Sequence, residues 1–341
     1  MSEPTDPLVF DYGLGFQTAP QRIKGERDER RDLTSRALPF HIPFLDDILR
    51  SLLPKDLILL GAETGAGKTE MARLIASASA NIGKHVFYFA LEAEHREIER
   101  RDKYSILCDL ILEKRPQRIG EMNYPDWYRG KCDDAIHGLD AIADEIITER
   151  RSTLHTYYRG SKFDTKEIKR LFVAHQTQAD LFIVDHLHYV DIDDENENRG
   201  FKTAIKLIRD VALDIGKPVI LIAHLRKSDS RGKTLVPRLE DFHGSSDIIK
   251  VVTHSIMLAP ARTMPSHKPG VSNTFMYVPK DRHGGSTGLL ALCEFDYRRK
   301  AYAEHYTLGR ANGDQFEPLG SLDAPRWAKR HQPLSVPMGT P

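Results

Sequence analysis

The residues Gly61-Ala-Glu-Thr-Gly-Ala-Gly-Lys-Thr-Glu70 lie between an apolar run, DLILL, and an amphipathic one, MARLIASASANIG. A glycine-rich turn in that position holds phosphate. Small residues let backbone N–H groups curl round anionic oxygens, and the helix behind them presents its positive end. Ala62, Glu63, Thr64, Gly65, Ala66 and Gly67 form the loop, and Lys68, Thr69 and Glu70 open the helix. In a G-x-x-x-x-G-K-[ST] loop the lysine neutralises β- and γ-phosphate charge and the Ser/Thr hydroxyl meets Mg2+, which assigns those tasks to Lys68 and Thr69. One position departs from the strict pattern: Ala62 replaces its first glycine. The phosphate implied is that of a nucleoside triphosphate, with ATP and Mg2+ as the expected pair.

A phosphate loop needs a metal-side acid on a neighbouring strand. DLFIVDHLHYVD supplies Asp185 at the carboxyl end of four apolar residues, where ligands gather in open α/β sheets. Thr69 and Asp185 are therefore the expected Mg2+ residues. Hydrolysis also needs a group that orients or deprotonates water. Glu92 emerges just past the apolar run HVFYFA and suits that role, while Glu94 reads as a helix N-terminal acid. His224 ends a third strand, KPVILIAH, where it could report on the γ-phosphate; a satisfied structural histidine is an equally open reading. His186 and His188 have alternate spacing but no third ligand nearby in sequence, a weak pattern for metal.

These residues require strands that end together. Buried runs at DLILLG, HVFYFA, STLHTYY, DLFIVD, PVILIAH, HSIMLA, TFMYV and GLLALCEF alternate with helical patterns over 37–305. Helical periodicity places Met71, Leu74, Ile75 and Ala78 on one face, and Phe201, Ala204, Ile205, Ile208 and Ala212 on another. The fold class expected is α/β, with a mainly parallel sheet covered on both faces. The last three runs have no helix between them, so antiparallel strands should close the C-terminal edge. Residues 93–150 read as charged and helical, 1–36 as a polar arm with a short charged helix, and 306–341 as a weakly ordered tail.

Acids and bases balance at 49 each, so a global basic field is excluded and nucleic-acid contact requires a local cluster. LRKSDSRGKTLVPR is such a cluster: Arg226, Lys227, Arg231 and Lys233 follow His224 in an aperiodic stretch with Gly232 and Pro237. Read as a loop, it could track a single-stranded backbone without reading sequence. The acidic stretch DIDDENENRG disfavours phosphate. Cys108, Cys132 and Cys293 fit neither a disulfide framework nor a zinc knuckle, which points to a reducing, cytoplasmic setting. No apolar run approaches the ~18 residues of a membrane span, and the start MSEPTDP reads as no signal peptide.

The ordered set AETGAGKT, FALEAE, FIVDHLHYV, LIAHLRK, LEDFHGSSDIIKVVTHSIML and VPKDRHGGSTG resembles the ring-shaped replicative helicases: the DnaB-like enzymes and the helicase half of phage primase–helicases. The resemblance covers about 40–298. It implies a RecA-like P-loop NTPase domain, assembled as a hexamer with nucleotide between subunits and moving on single-stranded DNA. By this resemblance Lys68 and Thr69 contact phosphate and Mg2+. Glu92 is the catalytic carboxylate, Asp185 the metal-side acid and His224 the γ-phosphate sensor. Lys280 and Arg282 of PKDRHG match cations that reach the neighbouring subunit's γ-phosphate, and Phe295 matches an aromatic ring stacked on the base. His243 stands where arginine is usual and His254 where aspartate is common. A motor of this kind would use its 1–36 arm, a loader or a separate primase to assemble.

The leading expectation is an ATP-dependent hexameric DNA helicase or translocase serving phage- or plasmid-type replication. The alternative is a RecA-like ATPase that switches or remodels a protein without unwinding duplex. A P-loop phosphotransferase is disfavoured by the paired cations of the PKDRHG element.

Overall fold

In the computed structural model of the chain, the described residues are 18–334, apart from 64, 161, 192–196, 226–234, 239–240, 242–248 and 285–286. They fall into two compact units, divided after Ala37. The first holds α1 (Ala19–Ile23) and α2 (Glu26–Ser35). Acidic residues open α2, at Glu26, Asp28 and Glu29, where they complement its dipole.

The second unit begins with α3 (Pro43–Ile48), β1 (Leu57–Ala62), α4 (Lys68–Asn81) and β2 (Val86–Ala90). A helical insertion follows: α5 (Glu97–Lys114), α6 (Tyr124–Tyr128), α7 (Asp133–Ile136) and α8 (Asp140–Arg150). Next come β3 (Leu154–Tyr158), α9 (Thr165–His175), β4 (Leu181–Asp185), α10 (Glu197–Ile215) and β5 (Val219–His224). The chain then runs through β6 (His254–Pro260), β7 (Val271–Asp281), β8 (Leu290–Asp296), β9 (Ala301–Asn312) and β10 (Gln315–Pro318).

The ten strands among the described residues form one sheet in the order β10-β9-β8-β7-β6-β1-β5-β4-β2-β3. Every pairing from β6 to β3 is parallel, and β6 to β10 pair antiparallel as successive neighbours. The period of two along β1 shows why the sheet must be covered twice. Ile58, Leu60 and Ala62 join a core with Phe44, Met71 and Ile75, while Leu57 and Leu59 join another with Phe172, Phe182, Ile205 and Ile208. Burying each such aliphatic side chain contributes about 2 kcal/mol. A smaller core under α5 to α8 gathers Tyr104, Leu107, Cys108, Ile111 and Cys132. All three cysteines are free and buried.

The expected weakly ordered tail from 306 is corrected by the structure. Its proposed boundary falls inside β9, which carries the buried residues Tyr306 and Leu308. Further along, Trp327 packs on Phe44 at 6.4 Å between ring centroids, and Arg330 pairs with Asp47 at 2.7 Å. Arg330 and His331 of that stretch make tertiary contacts, with Asp47 and with the Leu308 N–H. Among the described residues no helix is long and apolar enough to cross a membrane.

Candidate nucleotide site

The parallel register brings the expected residues into one row at the carboxyl edge. Ala62 is level with His224, and Ala90 with Asp185. Four neighbouring strands at about 4.8 Å spacing make that row roughly 14 Å wide. The loop after β1 turns through Gly65 and Gly67, at φ 80° and 93°, conformations that residues with a Cβ rarely adopt. Gly67 is the N-cap of α4 and offers no side chain, so the first N–H groups of the helix have no side-chain cap. The Lys68 Nζ donates to the carbonyls of Ala62 (3.0 Å) and Glu63 (3.1 Å). Nζ also lies 3.2 Å from His224 Nδ1. An ammonium has only donors, so Nδ1 accepts and the His224 proton lies on Nε2, which is 4.0 Å from a Glu92 carboxylate oxygen. Burial lowers the Lys68 pKa to about 8, against the opposing charges of Glu92, Asp185 and Glu63. A phosphate placed among these groups would restore a full positive charge.

Asp185 is only 2% exposed. Burial raises its pKa to about 6, despite hydrogen bonds from Tyr88 and Thr69 and the charge of Lys68, and the nearby Glu92 raises it further. The Tyr88 hydroxyl donates to Oδ2 at 2.7 Å, while Oδ1 is buried with no hydrogen-bond partner among the described residues. A buried carboxylate that is hydrogen-bonded to Thr69 and keeps one oxygen orphaned fits a hard divalent cation, which takes oxygen ligands. Next to it, His186 is fully buried and its pKa is pushed down to about 2 by burial and by the positive charges of His224, His188 and Lys68. Its ring lies 3.8 Å from that of His224, its Nδ1 3.2 Å from that of His188, and the His188 ring 4.6 Å from Phe201 on α10. The two histidines that sequence read as a weak metal pattern thus form a packed link from His224 to α10.

Lys280 and Arg282 occupy the other end of the sheet. β7 runs antiparallel, so its last residue, Asp281, pairs with His254 at the start of β6, itself level with Ile58. Arg282 N donates to Thr253 O at 3.1 Å, and the Lys280 ammonium to Ile249 O. From Ile58 to Ala62 is about 13 Å of strand, before the height of the loop is added. Burial lowers the Lys280 pKa, with the charges of Arg282 and Arg209 adding to the shift, so three cations crowd this edge. The Arg282 side chain is exposed.

Residues 37–302 match the family described as DnaB-like helicase C terminal domain. The chain belongs to that family. It is 22% identical over 272 residues to the replicative DNA helicase DnaB of Leifsonia xyli subsp. xyli (strain CTCB07), a match covering 76% of this chain and 54% of that protein. The chain thus spans about half the length of that curated relative. Among solved structures it resembles one described as an ATPase domain, with a TM-score of 0.67, 14% identity, and coverage of 85% of this chain and 99% of that one. It also resembles a DnaB-like replicative helicase described with its interactions with primase, at TM-score 0.62 and 14% identity, covering 85% and 67% of the two chains. A KaiC-like protein from Pyrococcus horikoshii OT3 follows at TM-score 0.51 and 15% identity, over 78% of this chain and 97% of that one. The fold is that of RecA-like P-loop ATPase domains.

For a DnaB-like domain, one expected residue is displaced. Phe295 lies on β8 at 8% exposure, with Tyr302 at 5.0 Å and Tyr297 at 5.6 Å, both edge-on. Its ring is core, which corrects the expectation that it offers a face to a base; Tyr297, 57% exposed, is the open ring of that cluster. Thr64 and the basic residues Arg226, Lys227, Arg231 and Lys233 lie outside the described residues, as does His243. Two contacts escaped sequence reasoning. Arg262, from the segment after β6, donates to Glu63 at 2.8 Å. Tyr88 had a readable signal, since a tyrosine inside an apolar strand needs a partner for its hydroxyl.

Proposed function

We propose that the chain is the motor of an ATP-dependent hexameric helicase that moves on single-stranded DNA, in replication of phage or plasmid type. The observation that carries this reading is the separation of the cations from the loop. Arg282 and Lys280 stand at the amino edge of the sheet and Lys68 at the carboxyl edge, so these two cations reach a phosphate loop only when a second copy brings them. A cation delivered in trans stabilises transition-state charge only in the assembled ring, which ties hydrolysis to subunit motion. Within one chain, the Gly65–Gly67 turn and the N–H groups of α4 bind the phosphates, and Lys68 moves from its carbonyl partners onto them. Thr69 and Asp185 hold Mg2+, whose chemistry is to neutralise the charge between the β- and γ-phosphates. Glu92 orients the attacking water, and its neighbour His224 senses the γ-phosphate and passes its loss through His186 to α10 and through the chain to 226–234. Single-stranded DNA contacts Arg226, Lys227, Arg231 and Lys233. A cytoplasmic setting, with a primase or loader as partner, accords with this reading.

The test is strand displacement on a forked duplex with ATP and Mg2+, read beside native mass spectrometry. Ring-shaped assemblies that unwind the fork, and a Lys68→Ala variant with no turnover, are expected. Hydrolysis that survives in Lys68→Ala removes the site. Full turnover by a lone protomer removes the ring, and DNA-independent hydrolysis without displacement favours a protein remodeller.

A further inference from the structure

Three segments distant in sequence meet at the amino edge of the sheet, away from the nucleotide site. Asp56 precedes β1, His254 opens β6, and His283 follows Arg282 in the turn after β7. Asp56 and His254 are buried, while the His283 side chain is 47% exposed. His283 Nε2 lies 2.9 Å from Asp56 Oδ1, and His254 Nε2 lies 3.7 Å from Asp56 Oδ2. The other nitrogen of His254, Nδ1, is 3.1 Å from Asp281 Oδ1 without making a hydrogen bond. Both nitrogens of one buried imidazole therefore face carboxylates. A neutral ring has a single N–H, so one lone pair points at an anion unless the ring is protonated or a further cation lies between.

We propose that Asp56, His254 and His283 bind a divalent transition-metal ion of the zinc type, and that this ion fixes the turn carrying Arg282. Two imidazoles and a carboxylate are a borderline donor set, suited to zinc or cobalt rather than magnesium or calcium. Zinc ligands at 2.0–2.2 Å in a tetrahedron stand about 3.3 Å apart; here His283 Nε2 is 2.9 Å from one Asp56 oxygen and His254 Nε2 is 3.7 Å from the other. The three donor atoms all lie within 4.8 Å of one another, so small side-chain movements would close the set. With the ion present, the Nε2 lone pair of His254 turns to metal and its Nδ1–H to Asp281, the outer-shell carboxylate arrangement that orients metal-bound imidazoles. The half-exposed side of His283 leaves a position for water.

The consequence for Arg282 rests on its proposed role in trans; binding of the ion does not. Asp281, Arg282 and His283 are consecutive, so an ion held by His283 limits where Arg282 can point. The test uses the full chain stripped with EDTA and titrated with Co2+. Expected are one tightly bound equivalent with the visible absorption of a four- or five-coordinate ion, displacement by Zn2+, and a Tm that rises with Zn2+. His283→Ala changes a half-exposed residue, so the variant should stay folded by circular dichroism and lose that equivalent. Glu92→Gln should keep it, because the other histidine–carboxylate cluster, Glu92–His186–His224, lies in the nucleotide site. No stoichiometric uptake overturns the proposal, as does uptake unchanged in His283→Ala or lost in Glu92→Gln. A nitrogen NMR spectrum showing His254 doubly protonated with Zn2+ present also overturns it. Co2+ uptake without any ATP hydrolysis would separate this site from the functional reading, and hydrolysis without uptake would do the reverse.

Discussion

A carboxylate is costly to bury, and Asp185 shows the sign of that cost. Its folded pKa of about 6 stands above the ordinary 3.8. Below about pH 4 both folded and unfolded chains hold the proton and no penalty exists. As pH rises through the interval from 3.8 to about 6, the unfolded chain loses its proton first, so stability is lost. Above pH 6 the full penalty applies, at most about 3 kcal/mol for a shift of roughly two units. Asp185→Asn keeps an acceptor for Tyr88 and removes the charge. In EDTA at pH 8 the variant should therefore be more stable than the parent, by about 2 kcal/mol, and the gain should vanish near pH 4. Urea unfolding at the two pH values checks this, and a variant less stable at pH 8 would refute it. ATP turnover should fall in the same variant, because Asp185 is the residue proposed to hold the metal. The same local logic made the site legible. Lys68, Thr69, Asp185, Glu92 and His224 each follow a strand end or a glycine turn, and sequence shows such places directly. Asp56, His254 and His283 were not legible as a group, since roughly two hundred residues separate the first from the other two and only the sheet joins them.

Elements were legible where both faces of a strand are buried and obscure where order comes from afar. β1, β2, β4 and β5 are buried along almost their whole length because α4 covers one face and α9 and α10 the other. β9 escaped notice: its first half is polar and exposed, and its buried half is held by groups such as Asp47, which accepts from the Tyr306 hydroxyl at 2.7 Å across 259 positions. Joints between helices are equally hidden. Arg73 on α4 is 1% exposed, with Glu70 and Asp102 both at 2.6 Å and the Lys300 carbonyl at 3.2 Å. It ties the phosphate-loop helix to α5 and to the turn between β8 and β9. Replacing it with methionine leaves two buried carboxylates short of a partner. Arg101, Lys300 and Arg151 still approach those acids, so the loss should fall at the low end for a broken buried pair, about 3 kcal/mol. Chemical denaturation measures it; a loss under 1 kcal/mol, the range of an exposed pair, would mean the outer arginines carry the joint.

At the scale of the whole molecule, the sheet is a spacer with chemistry at both ends. The carboxyl edge carries the loop, Asp185, Glu92 and His224; the amino edge carries Arg209, Lys280 and Arg282. A head-to-tail contact between copies places unlike edges together, and a heterologous contact of that kind closes into a ring when the rotation permits. The arrangement makes a prediction that a self-contained site would not satisfy. Lys68→Ala disables the loop of its own chain but leaves Arg282 for a neighbour, while Arg282→Ala does the opposite. Each variant alone should have no turnover. When the two are mixed at equal amounts and allowed to reassemble, about a quarter of random interfaces join an intact loop to an intact arginine. ATP hydrolysis should therefore reappear, peak near the equal mixture and fall towards either pure variant. Native mass spectrometry of the mixtures verifies that subunits have exchanged. Exchanged rings with no recovery at any ratio would place Arg282 outside the shared site, and Arg282→Ala with undiminished turnover by itself would remove its catalytic role.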